Sequence, residues 1–289
     1  MIAEANDVAR HGIVSREPRA IYDTVQALNI SRLKAIKRSP LHYHHALENP
    51  RQSARMTLGT AAHVAVLEPE RFVQEFAIWN RKTASGRAAT RNGGAWEGFQ
   101  LENARKTILT EDEALVANAI AKSVRFDVQA NPYLAVGDPE VSLYWRGPGG
   151  RFFKSRVDWL TNIDGAPVLV GLKTARDCRH YCFGAQSAKL GYHLQWAFYC
   201  DAYKAITGKT PRMVEIVVES EAPHAVAVYN IPRDILDQGR EEYLQLLIQL
   251  EECELTDNWP GPVPVEEDLT LPSWCYQSDD NVSDLGLIP

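Results

Sequence analysis

Residues 168–177 read VLVGLKTARD, and this stretch decides the fold. Three apolar residues, a glycine and a leucine lead to one lysine, Lys173, and then a threonine. The run has the length and β-branched content of a buried strand, in which an interior glycine weakens the strand unless something must sit close to the backbone. Just upstream, FFKSRVDWLTN ends near Asp164-Gly165, the dipeptide favoured at the centre of a two-residue type I′ hairpin. Counting outward from that turn places Asp158 directly opposite residue 171, and cross-strand partners share a face with Cβ atoms roughly 4.5–5.5 Å apart. Lys173, two positions on, projects from the same face. Carboxylates at 158 and 171 beside a lysine would form a hard-cation site. Residue 171, however, is Gly171.

Outward from the hairpin the pattern alternates between helix and strand. EVSLYWR, a GPGG turn, FFKSRVDWLTN and PVLVGLKT predict three consecutive strands. Helices are expected near 178–190 and 192–207, then strands RMVEIVVES and AVAVYNI, then a final helix DILDQGREEYLQLLIQLEE. Before the meander, SRLKAIKR is expected to be a helix capped by Ser31. Ser39-Pro40 opens another, MTLGTAAHVAVL a third, and TEDEALVANAIAKSVRF carries a capping box of Thr110 and Glu113. RKTASGRAATRNGG predicts a mobile basic loop. The fold class is α/β, with a central mixed β-sheet flanked by helices. Residues 1–30 are expected to be a weakly ordered segment, 31–259 a single domain, and 260–289 an acidic, Pro-containing tail.

With 289 residues and 45% hydrophobic content, the chain can bury a full core. Its five cysteines form no CxxC pair, which fits reduced thiols better than a metal cluster. No 18-residue apolar run and no signal-peptide core are visible, so a soluble, cytoplasmic protein without membrane association is expected. The net charge of -6 hides an asymmetry. Residues 31–91 hold 11 basic and 4 acidic residues, whereas residues 234–289 hold 14 acidic residues and only Arg240. One end can face phosphates while the other repels them.

An acid about a dozen residues before an apolar strand ending x-x-K resembles the PD-(D/E)xK nuclease core. Three further stretches resemble its RecB-like branch: GTAAHVAVLEPERF its histidine helix, GDPEVSLYW its upstream glutamate, and YHLQWAFYCDAY its QxxxY motif. Together with ISRLKAIKRSPLHYHHAL, the pattern is similar to the nuclease domain of the RecE-type exodeoxyribonuclease VIII family, over nearly the whole chain. The resemblance implies His63, Asp158 and the Leu172 main-chain carbonyl as metal ligands, with Glu140 an acidic member of the site. It implies Lys173 as the catalytic lysine, and Gln195 and Tyr199 as residues that contact DNA or order the site. Gly171 is the departure, standing where the family carries an acidic ligand.

The function implied is Mg²⁺-dependent, 5′-to-3′ exonuclease action on double-stranded DNA of the phage or prophage recombination type, with Mn²⁺ as a substitute ion. The implied partners are DNA ends, copies of the same chain in a tetrameric ring, and a single-strand annealing recombinase of RecT type. Gly171 leads to the expectation that cleavage is impaired and that Gly171→Asp would raise it. The alternative is a DNA-end-binding protein that keeps the fold without cutting. Arg81, Lys82, Arg87 and Arg91 are the candidate phosphate contacts in the basic loop. His42, His44 and His45 fall on different helix faces and do not suggest a chelate.

Overall fold

Two consecutive left-handed residues, Asp164 at φ 53° and Gly165 at φ 80°, close the central hairpin. This is the type I′ geometry that Asp-Gly favours. Ile163 then faces Ala166 and Trp159 faces Val170, so the next positions out, Asp158 and Gly171, lie opposite one another as counted. The computed structural model describes residues 10–49, 54–263 and 265–272.

In chain order the elements are β1 (Gly12–Val14), α1 (Arg19–Thr24), α2 (Ile30–Leu33), α3 (Pro40–Glu48), α4 (Ala54–Leu67), α5 (Pro69–Glu75) and β2 (Phe76–Trp79). Next come α6 (Gly93–Glu102), β3 (Thr107–Thr110), α7 (Glu111–Phe126), α8 (Asn131–Leu134), β4 (Asp138–Arg146), β5 (Phe152–Ile163) and β6 (Ala166–Ala175). The chain continues through α9 (His180–Leu190), α10 (Tyr192–Thr207), β7 (Arg212–Glu219), β8 (Val226–Asn230) and α11 (Arg233–Thr256). Six strands form one sheet in the order β1-β4-β5-β6-β7-β8. Within this sheet only β6 and β7 run parallel, because α9 and α10 return the chain to the same end of the sheet; its other pairs are antiparallel.

Alternation along β6 and β7 feeds two cores. Val168, Val170 and Leu172 of β6 and Val214, Ile216 and Val218 of β7 pack with Ala61 and Ala65 of α4 and Ile120 and Val124 of α7. From the other face, Leu169, Met213 and Val217 pack with Leu194 and Phe198 of α10 and Leu250 of α11. The alternation slips once in β5. Val157 belongs to the α10 side, whereas Trp159, two residues later, belongs to the α4 side. Asp158 lies at that slip. The small residues of α4 allow close packing on α7, whose first turn is closed by the expected box: Thr110 Oγ1 accepts from the Glu113 amide and Glu113 accepts from the Thr110 amide.

Three expectations need correction. Residues 10–30 are not weakly ordered: β1 pairs with β4, and Tyr22, Val25, Ala27 and Leu28 are buried. Lys154, only 1% exposed, reaches into this segment and donates to the Tyr22 and Val25 carbonyls at 2.7 and 2.8 Å. The cap of the helix at Ile30 is Asn29 rather than Ser31, its side chain accepting from the Arg32 amide. The basic loop is a small hairpin, with the Ala89 amide donating to Arg81 O and the Thr83 amide to Arg87 O. The parallel pair β2-β3 was not foreseen. Of the expected acidic tail, residues 260–263 and 265–272 carry no helix or strand, and residues 273–289 lie outside the described residues. Among the described residues no helix is long and apolar enough to cross a membrane.

Candidate metal centre and active site

A single row of residues crosses four strands. Glu140 lies on β4 between the pairs Pro139–Trp159 and Val141–Val157, hence opposite Asp158 on β5. Asp158 is next in register to Gly171 on β6, and Gly171 pairs with Glu215 on β7. Glu140 has φ 51°, in the left-handed region, where a residue other than glycine is uncommon and marks a functional or strained position.

His63, on α4, closes the row from above. Its Nδ1 lies 3.3 Å from Glu140 Oε1 and its Nε2 lies 3.3 Å from Asp158 Oδ2. Burial alone would lower the imidazole, but the Asp158 and Glu140 carboxylates overcome it and push its pKa up to about 10. Burial would likewise raise Asp158. The Lys173 ammonium, His63 and the Leu172 amide, which donates to Asp158 Oδ2 at 2.8 Å, instead hold it well below the usual carboxylate range. Glu140 is also lowered, burial being outweighed by His63, and its other oxygen accepts from Arg156. The imidazolium thus neutralises a carboxylate pair that would otherwise repel.

Ligand atoms of His63, Glu140 and Asp158 all lie within 4.8 Å of one another, the one such trio among the described residues. One imidazole and two carboxylates form a mixed nitrogen and oxygen set. Carboxylates suit Mg²⁺ and Mn²⁺ while imidazole suits first-row transition metals, so the donors fit a divalent cation, Mn²⁺ at least as well as Mg²⁺. The Leu172 carbonyl lies alongside, 3.4 Å from Lys173 Nζ.

Lys173 is held on both sides. Its Nζ lies 3.5 Å from Asp158 Oδ2 and 3.5 Å from Glu215 Oε1, and 5.5 Å from the centre of the Tyr192 ring. Burial would lower its pKa, but the Glu215 and Asp158 carboxylates raise it, so the lysine is an ammonium. Gln195 and Tyr199, one turn apart on α10, bond to each other, Gln195 Nε2 donating to the Tyr199 hydroxyl at 2.6 Å. Both line a cleft of about 530 Å³ together with His63, Glu140, Asp158 and Lys173. The ionisable lining is otherwise mixed. Across the whole cleft five carboxylates accompany four Arg or Lys side chains and His63.

The four loop cations are not part of the cleft lining. Lys82 pairs with Glu111 at 2.5 Å and Arg91 with Glu113 at 3.4 Å, both on α7. Sequence reasoning also missed Arg156, Tyr192 and Glu215. The signal for Glu215 was present: one carboxylate inside the apolar run MVEIVV. An aspartate at position 171, expected to supply a missing ligand, has no free space. A Cβ built there would come within 2.7 Å of Glu215 Cδ and closer still to both its oxygens.

A family described as a PDDEXK-like domain of unknown function (DUF3799) matches residues 29–264. Among solved structures, a candidate exonuclease from Eubacterium rectale is similar at TM-score 0.60 and 12% identity, covering 95% of this chain and 98% of its own. The protein SSO0001 aligns over 85% of this chain and 87% of its own at 11% identity and TM-score 0.32. No curated protein sequence matches. The family match gives a PDDEXK-like domain and the first of these structures shares the fold, a level broader than the RecE-type likeness read from the motifs.

Proposed function

This chain belongs to the PDDEXK-like domain family DUF3799, and from that premise we propose that it is a divalent-cation-dependent nuclease acting on DNA. The observation that carries the reading is the convergence of His63, Glu140 and Asp158 with a doubly held Lys173 in one cleft. Those three side chains and the Leu172 carbonyl would hold the cation. When bound, it supplies a polarised phosphoryl oxygen and a water of lowered pKa. Lys173, kept protonated by its two carboxylates, would balance charge on the scissile phosphate or orient the attacking water. Arg156 fixes Glu140, and the Leu172 amide fixes Asp158, so the ligands are held before a substrate arrives. A bound cation would take over from the His63 proton the task of offsetting Glu140 and Asp158, which would otherwise repel a phosphodiester, and this supports metal dependence.

The finer reading follows the motif resemblance: digestion of linear duplex from the 5′ end, by a ring of four chains, alongside an annealing recombinase. Linear and circular duplexes labelled at either end, incubated with Mg²⁺, Mn²⁺ or chelator, test it. Loss of 5′ label from linear duplex alone, abolished by chelator, is expected. Cutting of circles or loss from the 3′ end would replace the end-directed reading. Tight binding of ends with no cleavage in either metal would favour the non-cutting alternative, which rests on Gly171.

A further inference from the structure

The side chain that β6 lacks at position 171 has a counterpart one strand away. Gly171 and Glu215 are register partners on the parallel strands β6 and β7, and the Glu215 carboxylate lies where a side chain at 171 would begin. Glu215 is completely buried. One of its oxygens accepts from the Trp196 indole N–H, and the other, Oε1, has no hydrogen-bond partner and faces Lys173 at 3.5 Å. Burying a carboxylate is costly unless it is paired and hydrogen-bonded, and a Val, Ile or Met would suit this strand better. Its direction is also specific. The Asp158 carboxylate stands at the same 3.5 Å on the opposite side of the ammonium.

We propose that Glu215 is the positioning residue for Lys173, supplying from β7 the carboxylate that Gly171 does not supply from β6. This rests on the nuclease reading for its kinetic consequence, though not for its geometry. Gly171 then serves a purpose. Any side chain there would expel the Glu215 carboxylate from its place, so the glycine and the displaced acid form one unit. Glu215 does not join the trio of ligand atoms formed by His63, Glu140 and Asp158, so its role is to hold the lysine and not the cation.

Two sets of variants test this. Thermal unfolding of the native chain, Gly171→Asp, Glu215→Ala and the double variant reads the shared place without reference to cleavage. Gly171→Asp should lower Tm by about 3 °C or more in the native background and markedly less with Glu215→Ala. Additive losses would overturn the shared place. Steady-state digestion of linear duplex then compares Glu215→Gln, which keeps an acceptor for Trp196 and removes the charge. A fall in kcat of about 10- to 100-fold, the usual cost of losing a partner that orients a site group, is expected with KM for DNA little changed. Glu215→Asp should recover part of the loss, and Gly171→Asp with Glu215→Ala should exceed Glu215→Ala alone. Unchanged kcat in Glu215→Gln would overturn the positioning role. So would a loss of Mn²⁺ affinity as large as that of Asp158→Asn, by making Glu215 a metal ligand. If the native chain does not cut DNA, the nuclease reading fails, and the unfolding cycle alone decides whether one place is shared.

Discussion

Strands β5 and β7 flank β6, and each brings one carboxylate to within 3.5 Å of Lys173. The two arrive by different routes. Asp158 reaches its position through a two-residue turn, so its partner can be counted from the sequence. Glu215 arrives after a crossover through α9 and α10, and nothing local fixes which residue of β7 meets Gly171. Their surroundings differ as well. Asp158 sits beside His63 at the cleft, whereas Glu215 lies beneath Lys173 with no exposed surface. The difference teaches that a carboxylate can reach the lysine from a strand the motif does not include.

The comparison breaks most sharply at Asp158. Asp158→Asn should cut the rate of DNA digestion by at least about 10³-fold, the upper range for one preorganised charged contact, and weaken Mn²⁺ binding in a direct titration. Glu215→Gln should leave that titration unchanged. Equal metal defects in both variants would erase the distinction between the two flanks.

A pH series sharpens the Asp158 side. His63 has a folded pKa of about 10 in the metal-free protein, against about 6.5 unfolded. Its ion pairs therefore contribute stability that is fully present below the unfolded value and is lost as pH rises through the folded one. Cation binding must displace that proton. Mn²⁺ affinity should then climb between about pH 7 and pH 9, approaching tenfold per unit, with proton release measurable by calorimetry in buffers of different ionisation enthalpy. His63→Gln should flatten the slope. A slope that persists in the variant would assign the proton to another group.

The smallest effect is expected far from both flanks. Neutralising Arg81, Lys82, Arg87 and Arg91 together should change duplex affinity only modestly. Lys82 and Arg91 are already engaged by Glu111 and Glu113, leaving two cations for phosphates. The log–log salt slope should fall by no more than about 2, near 0.9 per contact. A fall approaching 4, measured by fluorescence anisotropy, would mean that DNA displaces both glutamates.

What could be read in advance follows the same division. The hairpin register, the Thr110–Glu113 box and the meeting of His63 with Asp158 rested on turn chemistry, capping and motif spacing, all carried by short stretches. The β2-β3 pair and the β1 edge depend on partners many residues away, and their strands are three or four residues long with little alternation to count. The basic loop was read as free because its neutralising acids belong to α7. Asn29 displaced Ser31 as a cap through a choice between two polar residues two positions apart, which propensity alone does not settle.

Lys154 carries a practical consequence for where a fragment of this protein can begin. Cutting at residue 29, where the family likeness starts, would remove both carbonyls that receive its ammonium, together with the Tyr22 ring 4.4 Å away. It would also remove Glu17, whose carbonyl accepts from Arg156 at 2.9 Å and whose carboxylate accepts from the Tyr144 hydroxyl at 2.5 Å. Arg156 is the residue that steadies Glu140. A shortened chain would thus strand a cation in the interior and loosen Glu140 from behind, so expression boundaries belong before residue 10.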